Sequence, residues 1–178
     1  MKRTLVLVAL ALLACTLTAS AATATGTLAV TATVQSSLAV VFDTNTNGVT
    51  LGADGTSAAT LAFGTVSAFA APPTNVTVSQ NSTPCLSGTC YGVSTPVWVK
   101  VEMSGTTSPN AILKAQLQTA DTTNAWLVGG TQVTTTAATI NGTFPYNTDA
   151  TEIIAIQIPY SNAETSVSNT ITFTATSN

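Results

Sequence analysis

A loop rich in Asp and Asn is the first candidate for chemistry in this sequence, because its oxygen atoms could bind calcium. Its ligand positions match 1, 3, 5 and 12 of a calcium-loop template with Gly at position 6; they are Asp43, Asn45, Asn47, Asp54 and Gly48. Only two of these ligands would be charged, position 12 is Asp instead of the bidentate Glu, and no helical pattern flanks the loop. We therefore predict a plain turn and no metal site, and calcium binding by this loop stays the alternative.

Cysteine chemistry is the second candidate. Cys85 and Cys90 stand in the pattern C-L-S-G-T-C, and Cys15 lies near the N-terminus. A redox motif separates its cysteines by two residues, whereas four residues separate these. In an oxidising compartment the pair predicts a disulfide that closes a short loop and contributes about 2 kcal/mol.

Catalytic chemistry has little support in the composition. The chain contains no histidine, which removes the usual general base and the commonest metal ligand. The seven acidic residues are scattered, and each adjoins a turn or an expected exposed strand position. We predict no catalytic residue, no cofactor and no enzymatic activity.

Asparagine and tryptophan side chains offer two further binding possibilities. Asn75, Asn81 and Asn141 begin N-x-S/T sequons, and their glycosylation depends on the host. Trp98 and Trp126 could form a sugar-binding face, but we expect Trp98 at a contact between subunits and Trp126 in the core.

The first 21 residues have the pattern of a secretory signal peptide. Lys2 and Arg3 precede an apolar stretch over 4–17, and the small residues at 19–21 suit cleavage. This predicts a secreted or cell-surface protein with no membrane segment after cleavage. The alternative is a lipoprotein signal in which Cys15 is acylated.

Charge is unusually scarce. Only 6% of residues are charged, against about 25% in ordinary globular proteins. Beyond the signal, two lysines stand against seven acids, a net charge of −5, which argues against nucleic acid or anionic lipid as a partner. So neutral a surface favours burial against identical subunits, and the alternative is a Thr-rich secreted monomer.

The chain predicts an all-β fold, because Thr- and Val-rich runs alternate with turn residues and no helical stripe is present. Residues 81–96 are expected to form a loop carrying the disulfide. The expected strands are 38–42, 49–51, 60–64, 74–79, 96–103, 111–118, 125–128, 131–135, 138–144, 151–160 and 169–176, of which 96–103 and 151–160 should lie inside a sheet.

Residues 26–34, GTLAVTATV, are the most regular stretch in the chain. Leu28, Val30, Ala32 and Val34 share one face, as in a strand with one buried side. Residues 35–37, QSS, interrupt the pattern and predict a pivot. We divide the chain into a signal at 1–21, an N-terminal extension with its pivot at 22–37, and a sandwich domain at 38–178.

These features together resemble pilins of the chaperone–usher type, especially the spore-coat-U-like and archaic branches. The resemblance rests on the signal peptide, GTLAVTATV, TLAFGTVS at 60–67, the turn at 160–165 and the terminal NTITFTAT. It implies an incomplete immunoglobulin-like sandwich, completed by the N-terminal donor strand of a neighbouring subunit. Leu28, Val30, Ala32 and Val34 would then be the donor side chains. The disulfide departs from the family's pattern. In that family a disulfide often ties the first strand, whereas Cys85 and Cys90 lie elsewhere in the chain.

The function that this resemblance implies is the major structural subunit of an extracellular pilus, acting in adhesion or biofilm. Its partners would be further copies of itself, a periplasmic chaperone and an outer-membrane usher. Two alternatives stay open, namely a biofilm-matrix fibre assembled without an usher, and a monomeric secreted β-sandwich that binds carbohydrate.

Overall fold

The computed structural model describes residues 29, 31–33, 35–105, 107–162 and 166–178. The chain divides into two compact units, Met1–Thr33 and Val34–Asn178. In the first unit, Ala29, Ala32 and their described neighbours are exposed and lie outside any strand. The predicted signal peptide with Cys15, and the predicted donor residues Leu28, Val30 and Val34, lie outside the described residues.

The second unit is built of β-strands, and the described residues contain no helix, which confirms the all-β prediction. The nine strands are β1 Ser37–Asp43, β2 Thr77–Ser82, β3 Cys90–Ser104, β4 Ala111–Leu117, β5 Ala125–Val128, β6 Thr131–Val133, β7 Ala138–Phe144, β8 Ala150–Pro159 and β9 Ile171–Ser177.

The strands form two sheets that pack in a sandwich-like arrangement. The larger sheet has the order β1-β3-β8-β5-β6, and β2 pairs with β3 on the same side as β1. The smaller sheet has the order β7-β4-β9. Every strand pairing described is antiparallel. The predictions that 96–103 and 151–160 lie inside a sheet are confirmed, because β3 and β8 each have neighbours on both sides.

Alternation places one face of each long strand in the core. Val97, Val99 and Val101 of β3 are at most 4% exposed, and Ile154, Ile156 and Ile158 of β8 are at most 7% exposed. Two apolar clusters result, one at each end of the sandwich. The last strand alternates in the same way, because the Thr residues of β9 face outward while Ile171 and Phe173 pack inward.

A gap in the larger sheet between β1 and β2 is filled by irregular chain. Thr95 is 1% exposed; its hydroxyl accepts a hydrogen bond from the Val49 N–H at 3.1 Å and donates to the Asn75 carbonyl at 2.8 Å. The Asn75 side chain donates in turn to the Gly48 carbonyl at 2.8 Å. These bonds satisfy backbone groups of the irregular chain, at Gly48, Val49 and Asn75, which lie outside the described strands.

Three predictions of local structure were wrong. Residues 49–51 and 60–64 are not strands, because the described backbone pairing in this region is confined to two isolated bridges, Gly52 with Thr60 and Phe42 with Thr56. The predicted loop at 81–96 is strand from Cys90 onward. Its Gly, Ser, Thr and Pro residues resemble a loop in composition, but pairing with β8 decides their conformation.

Candidate functional site

The sandwich domain contains an open groove of about 700 Å³ with a floor of apolar side chains. Its floor consists of inward side chains of the larger sheet. These side chains also belong to one of the two apolar clusters of the core, the one that contains Trp126. They are Val93, Val97, Trp126, Ile154, Ile156 and Ile158. The floor of the groove is therefore part of the hydrophobic core, and its side chains are at most 7% exposed.

One wall of the groove is the segment 59–66. Ala59, Leu61 and Phe63 are half-buried against the core, whereas Thr60 and Ala62 between them are exposed. This is the side-chain pattern of a strand. The backbone hydrogen bonds described for the segment are nevertheless confined to the pair between Gly52 and Thr60, both at 2.9 Å or less. The segment thus packs as a strand would and leaves most of its backbone groups without a described strand partner.

The opposite wall is formed by residues 166–170 and the start of β9, where Ile171 and Phe173 contribute apolar side chains. In the part of the chain that the structure describes, β9 pairs with β4 and with no second strand. Its other edge has no described strand partner, and an added strand can bind to an edge of this kind.

The groove is closed at one end and open at the other. At the closed end the rings of Phe42 and Phe173 meet edge to face, with centroids 5.0 Å apart. Beyond them the core is filled by Val99, Val101 and Leu113, each 0% exposed. At the open end the lining residues are Tyr91 and Ile158, followed by Asn162. An extended segment lying along the groove would therefore meet the contact between Phe42 and Phe173 at one end.

The calcium candidates are engaged with other groups. The Asp54 carboxylate accepts the Thr44 N–H at 2.6 Å and the Thr44 hydroxyl at 3.0 Å. Asp43 lies 3.7 Å from the Lys100 ammonium.

The two asparagines of the same loop build the turn. Asn45 accepts the Asn47 N–H at 3.0 Å and donates to Thr151 at 3.1 Å. Among the described residues, no group of three or more His, Cys, Asp or Glu side chains is placed to hold a metal ion.

The disulfide prediction is confirmed. Cys85 and Cys90 are joined, with their Cα atoms 5.7 Å apart. Trp126 lies in the core, as predicted, with 6% of its surface exposed. Trp98 is half-buried on the outer face of β3, and its predicted contact with another subunit stays a prediction.

The three sequon residues lie apart from the groove lining. Asn75 and Asn81 are exposed and Asn141 is half-buried. Their glycosylation also stays a prediction.

Asp43, Asp121 and Glu152 depart from the expectation that every acid is exposed, and the last two have shifted pKa values. Glu152 is 8% exposed on β8, where burial raises the pKa of its carboxyl. Asp121 is half-buried: burial alone would raise its pKa, but hydrogen bonds from Asn124, Trp126 and Thr123 outweigh it and lower the pKa. Glu152 could have been suspected from its place in an otherwise apolar run.

Neither a scan of protein-family models nor searches of curated proteins and of solved structures find a match for this chain. Within the described ranges, no helix is long and apolar enough to span a membrane.

Proposed function

We propose that this protein is the repeating subunit of an extracellular filament whose sandwich is an incomplete, immunoglobulin-like one, completed by the N-terminal strand of the next copy. The observation that carries the proposal is the apolar groove, because its floor is hydrophobic core and one of its walls ends in the unpaired edge of β9. One added strand would fill such a groove and pair with that edge.

The proposed occupant is the extension at 22–37 of a neighbouring copy. Leu28, Val30, Ala32 and Val34 would enter the groove, since they alternate on one face of a strand-like sequence. Burying the larger of these side chains contributes about 1.5–3 kcal/mol each, and backbone hydrogen bonds to β9 add to this. The contact is head-to-tail, so it propagates as a fibre instead of closing into a dimer.

The same groove supports the proposed route of assembly. An apolar groove beside a strand edge without a partner is an aggregation hazard before polymerisation. A periplasmic chaperone would cover it during export, and an outer-membrane usher would exchange that cover for the next subunit. The filament would then act at the cell surface in adhesion or biofilm.

Electrophoresis in SDS of surface-sheared protein, boiled and unboiled, with negative-stain microscopy tests the proposal. We expect filaments and an unboiled ladder that collapses on boiling to a single band, and deletion of residues 23–34 should abolish both. A single monomer band in both lanes with empty grids would contradict the proposal and favour the monomeric binding module.

Two matched pairs of variants make the test specific to the groove and its occupant. Val30→Asp should abolish the ladder and Thr31→Asp should not, because only the first lies on the proposed inserted face. Val66→Asp on the groove wall should likewise prevent assembly, whereas Ser67→Asp, outside the groove lining, should not. The reason is the cost of burying an unpaired charge. Equal behaviour within either pair would argue against strand insertion.

A further inference from the structure

Three aromatic side chains, Phe69, Tyr91 and Tyr160, form a cluster at one end of the sandwich, here named the aromatic patch; the two tyrosines are half-buried. Phe69 is 79% exposed. Its ring stacks on Tyr160 with centroids 5.8 Å apart and an angle of 21° between the planes. Tyr160 lies 5.6 Å from Tyr91. So exposed a phenylalanine at the end of a ring stack is a feature typical of an interaction surface.

The aromatic patch adjoins the open end of the groove. Tyr91 is itself a lining residue there. The patch also adjoins the disulfide loop, because the Tyr160 N–H donates to the Thr89 carbonyl at 3.0 Å. Leu86 within that loop is 43% exposed, which extends the apolar surface at this end of the molecule.

The closed end of the groove decides where the body of a donor subunit must lie. An inserted strand cannot continue past the contact between Phe42 and Phe173, so its connection to its own domain leaves at the open end. Between Val34 and the first residue of β1 stand only Gln35 and Ser36, which span about 7 Å in extended form. A link this short brings the donor's domain against the aromatic patch.

The part of the donor subunit that lies against the aromatic patch is the opposite end of the donor's own sandwich. In β1, Ser37 pairs with Ser104, and Gly105 lies so close to Gln35 that an added Cβ would come within 3.2 Å of its carbonyl oxygen. The N-terminal chain therefore joins the domain beside the last residues of β3. The aromatic patch lies at the other end of the sandwich, where β3 begins.

We propose that the aromatic patch is a second contact between successive copies of this chain, packing against the surface around Ser104 and Gly105 of the copy that donates the strand. This inference rests on the proposed function. The occupant is a second copy and not a charged ligand, because no charged residue occurs between Asp54 and Lys100, the stretch that carries Phe69, Leu86 and Tyr91.

Site-specific photocrosslinking tests this contact. A benzophenone amino acid replaces Phe69 in one variant and Ile153 in the control. Ile153 is 41% exposed, but it lies on the outer face of β8 in mid-strand. After irradiation of filaments and boiling, we expect bands of covalent dimers and higher species for position 69. We expect none of these bands for position 153. In the excised dimer, peptide mapping should join position 69 to residues 101–114.

The outcomes separate the two proposals. No unboiled ladder from the unmodified chain would overturn the proposed function. An unboiled ladder with only monomer after irradiation and boiling at position 69, or a crosslink to a different protein or to a distant part of the neighbour, would overturn the second contact alone. As a further readout, Phe69→Ser should keep the ladder and give more flexible filaments than Ile153→Ser, and equal stiffness would contradict the inference.

Discussion

Asp121 shows how a single carboxylate can organise a turn. It accepts the N–H groups of Thr123 and Asn124 at 2.9 and 2.8 Å and the indole N–H of Trp126 at 2.8 Å. Asn162 donates to Asn124 at 3.0 Å, which ties the segment after β8 to the same turn. The groove residue Trp126 is thus held from outside the groove.

Asp121→Asn is predicted to destabilise the sandwich by about 1–3 kcal/mol, because an amide cannot accept the full set of these hydrogen bonds. The pKa of Asp121 is lowered by folding. Its contribution is therefore present above the unfolded pKa and lost as pH falls through the folded pKa.

Urea unfolding followed by tryptophan fluorescence, at neutral and acid pH, measures both effects. Asp149→Asn is the control, since that carboxylate lies 3.9 Å from Lys100 on the surface and should contribute little. An Asp121→Asn variant as stable as the control at neutral pH would contradict this account.

Glu152 has the opposite pH dependence. Burial raises the pKa of its carboxyl, so the stability it contributes is fully present below the unfolded pKa and is lost as pH rises through the folded pKa. Glu152→Gln is therefore predicted to be more stable than the native chain at neutral pH and equally stable near pH 3, a value about one unit below the unfolded pKa of Glu. Thermal unfolding at the two pH values tests this, and a neutral-pH loss of stability would refute it.

At the level of elements, regular alternation and pairing agree where a strand is long. The valines of β3 and the isoleucines of β8 are buried as the sequence indicates. The segment 59–66 alternates just as clearly, yet no strand among the described residues forms a ladder with it. Periodicity reports which side chains are buried, whereas strand pairing depends on residues far away in the chain.

The candidate site was predictable only in part for the same reason. The resemblance and the alternating extension indicate an unfilled groove, but not which residues line it. The aromatic patch assembles residues 69, 91 and 160, which no local pattern connects. The apolar run around Glu152 is a sequence signal for its burial, but the strands beside β8 are needed to complete that burial.

The loop that fills the gap between β1 and β2 supplies a prediction at this scale. Gly48 lies so close to the Pro96 carbonyl of β3 that an added Cβ would collide with it. Gly48→Ala must therefore displace backbone, and we expect a loss of about 1–3 kcal/mol, as for other overpacked sites. Gly142→Ala is the matched control, because its Cβ would meet nothing within 4 Å. Similar urea midpoints for the two variants would contradict the packing described here.

For the molecule as a whole, the scarcity of charge predicts how the proposed filament responds to salt. The groove is apolar and the stretch between Asp54 and Lys100 is uncharged. The unboiled ladder should therefore persist in about 1 M NaCl, where the screening length falls to about 3 Å. Sulfate at equal ionic strength should strengthen it, because it favours apolar burial. A ladder lost at high salt would mean that ion pairs hold the subunits together.

The positions of the two lysines beyond the predicted signal have a consequence for survival outside the cell. Lys100 pairs with Val41 in β1, and Lys114 in β4 pairs with both Thr139 and Thr174. A protease that cleaves after basic residues must bind its substrate as a separate extended segment, which a paired strand cannot provide without local unfolding. Trypsin-like enzymes should leave the folded domain intact, although the same two bonds would be cut at once in the unfolded chain.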